Sequence, residues 1–264
     1  MTEPKSDFFS YFKMSVMQKF FKQTKFTYKD KEMLTQGKKG TGSAVRKWWL
    51  KNISSLVLVG IVLLGGSGQF DWAMAWAYLA AMGMIMIANA VAMDPALQVE
   101  RSELQSGTKK WDVVLASFVA IGGPILIWLT AALDHRFGWT KVTLPVLQVV
   151  AFIFFVLGSL IVTWAMSANR FFSATVRIQE DRNQQVVRTG PYRYVRHPGY
   201  LGAILAMLMT PLALGSFVAL IPALVVASGY VLRTYLEDKV LQEELQGYKE
   251  FANEVRYRLL PLIW

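Results

Sequence analysis

Apolar positions in this chain come in long unbroken runs rather than in an alternating or one-face pattern, and run length decides the architecture. Five runs, at residues 53–68, 72–93, 111–133, 144–166 and 200–235, can cross or nearly cross a hydrocarbon layer of roughly 30 Å. The last is too long for one crossing. It is interrupted by Pro211 and Gly215 within MTPLALGS, which predicts a tight helical hairpin. The expected fold is all-α, a multi-pass transmembrane helical bundle of about six membrane segments ending in that hairpin.

Composition agrees. The 264 residues are 54% hydrophobic and 17% charged, with a mean hydropathy of +0.33, too apolar for a soluble domain of this size. The net charge of +10 reflects topology once the 28 basic residues are placed. Twelve precede the first run, three lie in the second loop, six in the fourth and five follow from Arg233. On the other side there are two in the third loop and none in the first loop or the hairpin turn. The positive-inside rule then sets both termini in the cytoplasm. Basic residues that follow topology leave no groove-reading motif, so nucleic acid is not an expected partner.

Three regions follow: a basic cytoplasmic or interfacial segment at 1–50, N-terminal transmembrane helices at 51–140, and a C-terminal core at 141–264. The polar leader has no signal-peptide pattern, so the first run reads as a retained anchor. Its stretch DFFSYFKMSVMQKFFKQTKF mixes aromatics with lysines and suits either a helix on an anionic membrane surface or a disordered basic tail. TQGKKGTGS, at 35–43, has linker composition.

Cysteine is absent and the two histidines lie far apart, which excludes thiolate chemistry and argues against a metal site. Candidate chemistry therefore concentrates in RTGPYRYVRHPGYLG, at 188–202, which combines three arginines, three tyrosines and one of the histidines at the mouth of the hairpin. Antiparallel packing returns 196–200 to the same membrane face as 233–237, and Arg233 and Glu237, four apart, share one helix face. Each residue also has a plain structural reading. Arg233 can be an interfacial anchor or pair with Glu237, His197 can cap a helix starting at Pro198, and Tyr192, Tyr194 and Tyr200 can form an aromatic belt.

Order and spacing add more. GPYRYVRHPGY (190–200), a short hairpin, RTYLED (233–238) and GYKEFANEVRYRLLPLIW (247–264) together resemble the isoprenylcysteine carboxyl methyltransferase family, related to phospholipid methyltransferases. FFSATVRIQEDR (171–182) resembles bacterial members, and the resemblance covers about 169–264. It implies S-adenosylmethionine as methyl donor, bound without a Rossmann domain, and no GxGxxG loop is present. By that resemblance Val186, Val187, Tyr192, His197, Pro198, Gly199 and Tyr200 line the cofactor pocket, Glu237 closes it, and Arg233 faces the methyl acceptor, so that Arg233 and Glu237 are the catalytic candidates. The implied acceptor is a hydrophobic small molecule or lipid: a prenylated cysteine carboxylate, a thiol or a lipid amine. The implied setting is a bacterial inner membrane, with membrane lipids as further partners; nothing in the chain speaks to oligomeric state.

The chain departs from that pattern at Asn183 and Gln184, where bacterial relatives often have Gly-His, and at Leu262, where Gly is usual. Two rival readings accompany the first. NADPH-dependent membrane sterol reductases share RHP-type tail motifs, but their tails usually carry an Arg-Asp-Glu triplet followed by Cys, whereas here Arg233 precedes Glu237 and Asp238 and cysteine is absent. A non-enzymatic membrane scaffold would instead use the basic leader.

Overall fold

The computed structural model describes residues 28–102, 104–140 and 144–264, and among these the chain is helical, with no strand. Met1–Ser43 and Ala44–Trp264 are separate compact units. The aromatic and lysine-rich stretch at 7–26 lies outside the described residues. Helix α1 (Tyr28–Gly60) runs through TQGKKGTGS, where composition predicts a linker. Glycine there costs about 1 kcal/mol of helix stability per site without forbidding the helix.

α1 continues through a π-helical turn, Ile61–Gly65, and is followed by α2 (Ala73–Ala92) and the short α3 (Pro95–Glu100). α4 (Lys110–Ser117) widens into a π-helical segment, Phe118–Gly122, and resumes as α5 (Gly123–Phe137). Pro124 lacks an N–H and so leaves the Ala120 carbonyl without its usual helical donor, which favours the widening there. α6 (Pro145–Ala168), α7 (Pro198–Ala213), α8 (Leu220–Glu244) and α9 (Tyr248–Glu254) complete the described order.

Five helical stretches have the length and apolarity of membrane spans: Val45–Gly65, Ala73–Ala92, Lys110–Phe137, Pro145–Ala168 and Leu220–Glu244. Their outer faces are apolar, with Val91 82%, Val146 79% and Ile221 66% exposed, a surface suited to lipid rather than water. The sixth expected segment, α7, has 16 residues and rises about 24 Å, short of the hydrocarbon thickness. Pro211 sits in its last turn, where only one helical hydrogen bond is forfeited. The reversal itself falls beyond it, at Gly215, whose φ of 77° is left-handed.

Close helix approach holds this arrangement. A Cβ on Gly202 would lie 2.5 Å from the Gly158 carbonyl oxygen, so α6 and α7 meet backbone to backbone. A Cβ on Gly123 would lie 2.3 Å from Val226, which seats α8 against the start of α5. Buried polar groups are paired: Trp128 donates to the Tyr78 hydroxyl at 3.0 Å, and that hydroxyl meets Thr210 at 3.2 Å. Asp134 accepts from the Thr140 amide at 2.6 Å and from Ser216, tying the loop after α5 to the hairpin turn.

Candidate active site

One face of α8 organises the site. Tyr230, Arg233, Glu237 and Leu241, with Leu245 just past the helix end, line a single cavity of about 250 Å³. From Tyr230 to Leu245 the helical rise is about 22 Å, so this stripe orders the cavity from membrane depth to the end of the span. Ala120 of the π-helical segment, Val162 of α6 and Ala203 of α7 make up more of its wall, and the connection between α6 and α7 supplies most of the polar remainder, with Arg101 just past α3 and Tyr248 of α9.

The arginines are held by carboxylates. Arg233 forms a two-point pair with Asp112 of α4, at 2.7 and 3.0 Å, and its Nη2 also donates to the Ala174 carbonyl at 2.8 Å. The Arg233 guanidinium lies 5.2 Å from the Tyr200 ring centroid. Arg177 forks onto Glu100 at 2.9 and 2.8 Å, clamping the end of α3 to the connection before α7.

Asp238 is a larger hub. Arg196 grips it at 2.8 and 3.0 Å, the Tyr248 hydroxyl at 3.0 Å, Gln242 at 2.7 Å and Arg258 at 2.8 Å, and His197 Nε2 lies 3.2 Å away. Arg196 Nη1 donates to the Val255 and Arg256 carbonyls, while the Arg196 and His197 amides donate to the Tyr257 and Arg258 carbonyls. The tail after α9 is thereby fastened beside the start of α7. Burial, then the Asp238 charge, pushes the Tyr248 phenol up, so it stays a donor to that carboxylate at neutral pH.

Glu237 is different. It lines the cavity, accepts a hydrogen bond from the Tyr200 hydroxyl, and forms no ion pair among the described residues. Near it, Tyr192 lines the same cavity and accepts from Asn169 Nδ2 at 3.2 Å, and burial pushes its phenol up. Gln185, Val186 and Val187 also line the cavity, and among the described residues their backbone makes no hydrogen bond.

The structure brings together most residues singled out from the sequence. Val186, Val187, Tyr192, His197, Gly199, Tyr200, Arg233 and Glu237 all line the one cavity. Pro198 is buried in the first turn of α7 and is not in the wall, and Tyr194 is 64% exposed. Arg233 and Glu237 share the face as expected, but Arg233 pairs with Asp112 rather than Glu237, because α4 brings a buried acid to it from 121 residues away. Gly199 is needed for close packing: a Cβ there would lie 2.6 Å from the Phe172 ring.

Sequence reading missed Asp112, Asp238, Glu100 and Arg101. An acid at the head of a membrane run was a usable signal for Asp112, since such residues face the bundle interior and find partners. The two departures from the pattern have conformational sense. Asn183, with φ 48°, and Leu262, with φ 69°, are left-handed, the backbone state a glycine would adopt freely. Gln184 Oε1 is occupied by the Gln179 amide at 2.7 Å.

Residues 149–243 match the family model described as Isoprenylcysteine carboxyl methyltransferase (ICMT) family. That segment is similar to the ICMT family over 95 of the 264 residues. It begins in α6 and ends in the last turn of α8, so it contains the connection, the hairpin and the α8 stripe as far as Leu241, most of the cavity wall. Compared with curated proteins, the chain finds no significant match. The ICMT-family match, on a helical scaffold with five candidate spans among the described residues, supports a membrane protein of the methyltransferase kind.

Proposed function

We propose that the cavity binds S-adenosylmethionine and that the protein methylates a hydrophobic or lipid-like acceptor. The observation that carries this reading is Glu237, a carboxylate lining the cavity with no basic partner among the described residues, on the stripe that also presents Arg233. When bound, the cofactor supplies an electrophilic methyl on a sulfonium, whose carbon–sulfur bond breaks as the acceptor's lone pair takes the methyl. Glu237 and the faces of Tyr200 and Tyr192 suit a cation, through charge and ring quadrupole. The backbone of Gln185–Val187, unpaired among the described residues, offers donors and acceptors for a purine edge. Arg196 spends four of its five N–H donors on Asp238 and two carbonyls, so its main role is to hold the tail against α7.

Among the described residues Arg233 Nη1 has no hydrogen-bond partner; it orients an acceptor, with Asp112 fixing the guanidinium plane. No acid–base pair is required, because displacement at a sulfonium depends on alignment and exclusion of water. Exposed residues in the cavity wall support two approaches. Gln185 lies in the connection that the basic-residue count assigns to the cytoplasm, and Ala120 lies within the Lys110–Phe137 span. A charged donor from the cytoplasm and an apolar acceptor from the bilayer fit that division, in a bacterial inner membrane with both termini cytoplasmic.

The test is calorimetric titration of the detergent-purified protein with S-adenosylhomocysteine. Saturable binding that weakens in Glu237→Ala and His197→Ala is expected. A well-folded wild type that ignores S-adenosylhomocysteine and binds NADPH would replace this reading with the reductase.

A further inference from the structure

The connection between α6 and α7 makes one closed turn before it reaches the cavity wall at Gln185. Gln179 is the anchor of that turn. It is 1% exposed, its Nε2 donates to the Phe171 carbonyl at 2.7 Å, its Oε1 accepts from Arg182 Nη1 at 2.7 Å, and Arg182 Nη2 donates in turn to the Arg170 carbonyl at 2.7 Å. These bonds fasten Gln179 to the chain just past α6. Glu180–Arg182 then form a single short helical turn, and Asn183, with φ 48°, reverses the chain in the left-handed state.

Gln184 closes the turn with its side chain. Two residues facing one another across such a reversal ordinarily exchange a pair of main-chain bonds, each N–H going to the other's carbonyl. Here the main chain makes only half of that exchange: the Gln184 amide donates to the Gln179 carbonyl at 3.1 Å. The return bond, from the Gln179 N–H, goes at 2.7 Å to Oε1 of the Gln184 side chain. Among the described residues the Gln184 carbonyl accepts no hydrogen bond, and the backbone of Gln185, Val186 and Val187 makes none. The valine side chains, by contrast, are seated: Val186 and Val187 pack against the cluster of Tyr192, Leu245, Tyr248 and Phe251. The cavity edge is thus held by its side chains and open along its backbone.

We infer that Gln184 is a positioning residue for ligand binding: by taking the Gln179 N–H on its side chain, it keeps its own carbonyl and the following backbone free as a hydrogen-bonding edge for a planar heterocycle. The argument is one of competition. Without a side-chain acceptor, the buried Gln179 N–H takes the carbonyl of residue 184, because a buried main-chain donor is not left unpaired. Completing that pair rotates the chain at 184–185 and swings the edge away from the cavity. Gln184 is also one of the two adjacent positions at which the chain departs from its bacterial relatives, so the device belongs to this chain. Identifying the heterocycle as a purine rests on the proposed function.

The experiment uses the full chain in neutral-lipid nanodiscs and compares wild type with Q184M, which keeps the shape but lacks a strong acceptor, and Q184E, which keeps an acceptor for the Gln179 N–H. S-adenosylhomocysteine and methylthioadenosine are titrated by calorimetry, with melting followed in parallel. Q184M should bind both compounds about fivefold more weakly, the scale of one neutral hydrogen bond, and melt within about 2 °C of wild type because the Gln179 N–H finds the freed carbonyl. Q184E should bind methylthioadenosine, which carries no charge, within about twofold of wild type. Rescue by Glu but not by Met separates positioning from direct contact through Nε2, which Glu lacks, and from packing, which Met preserves. Where Q184M does not fold, Q184A takes its place with the same expectation. Undiminished binding by the folded variant, equal loss in Q184E, or a loss confined to S-adenosylhomocysteine would each overturn the assignment. Equal loss would make Gln184 a direct donor to the ligand. A wild type that binds neither compound would sink the proposed function and this inference with it, whereas a wild type that binds both, with Q184M unchanged, sinks this inference alone.

Discussion

Asp238→Asn is the sharpest probe of how the site is held. Asp238 is fully buried, and five side chains within 3.2 Å direct Arg, His, Tyr and Gln groups at its two oxygens. An amide of the same shape keeps one acceptor oxygen and turns the other position into a donor facing donors, while the 4%-exposed Arg196 loses its counter-charge. Breaking a buried pair by removing one partner costs about 3–5 kcal/mol. For a chain of this length each kcal/mol moves the melting temperature by roughly 2–4 °C, so a fall of about 10 °C is expected by intrinsic-fluorescence melting in detergent. The control lies on the same helix: Lys239 and Glu243 stand 4.0 Å apart with side chains about 60% exposed, and Glu243→Gln should change stability by less than about 0.5 kcal/mol. S-adenosylhomocysteine affinity should also drop in Asp238→Asn, because His197 and Tyr248 are both hub members and cavity walls. Melting within 2 °C of wild type, or no different from Glu243→Gln, would refute the reading of Asp238 as the clasp of the tail.

Arg233→Ala should abolish methyl transfer while S-adenosylhomocysteine binding changes by no more than a fewfold; equal loss of both, measured by calorimetry and single-turnover assay, would remove the division of roles between Arg233 and Glu237. Gly202→Val should block folding or lower the melting temperature by more than any cavity-wall substitution, since its side chain would enter the Gly158 backbone, and recovery of wild-type melting would contradict that crossing. Leu262→Gly should stabilise by about 1 kcal/mol, relieving a left-handed non-glycine residue whose side chain is 86% exposed and packs little. An unchanged or lower melting temperature would count against that strain.

Run length and the order of a few uncommon residues carried the all-helical membrane architecture, the C-terminal hairpin and the candidates on α8 and at 186–200, because a span must be continuously apolar and a hairpin returns its two ends to one face. Helix spacing was enough to place Arg233 and Glu237 on one face. It could not name their partners. Asp112 reaches Arg233 across 121 residues, and Asp238, which reads as one more polar residue in RTYLED, gathers Arg196, His197, Tyr248 and Arg258 only because α7, α9 and the tail converge on it. Which charges are neutralised and which stay open is a property of that convergence. Glu237 and Arg101 look no different in sequence from Asp238 and Arg196, and only packing leaves the first two in the cavity wall without an ionic partner among the described residues.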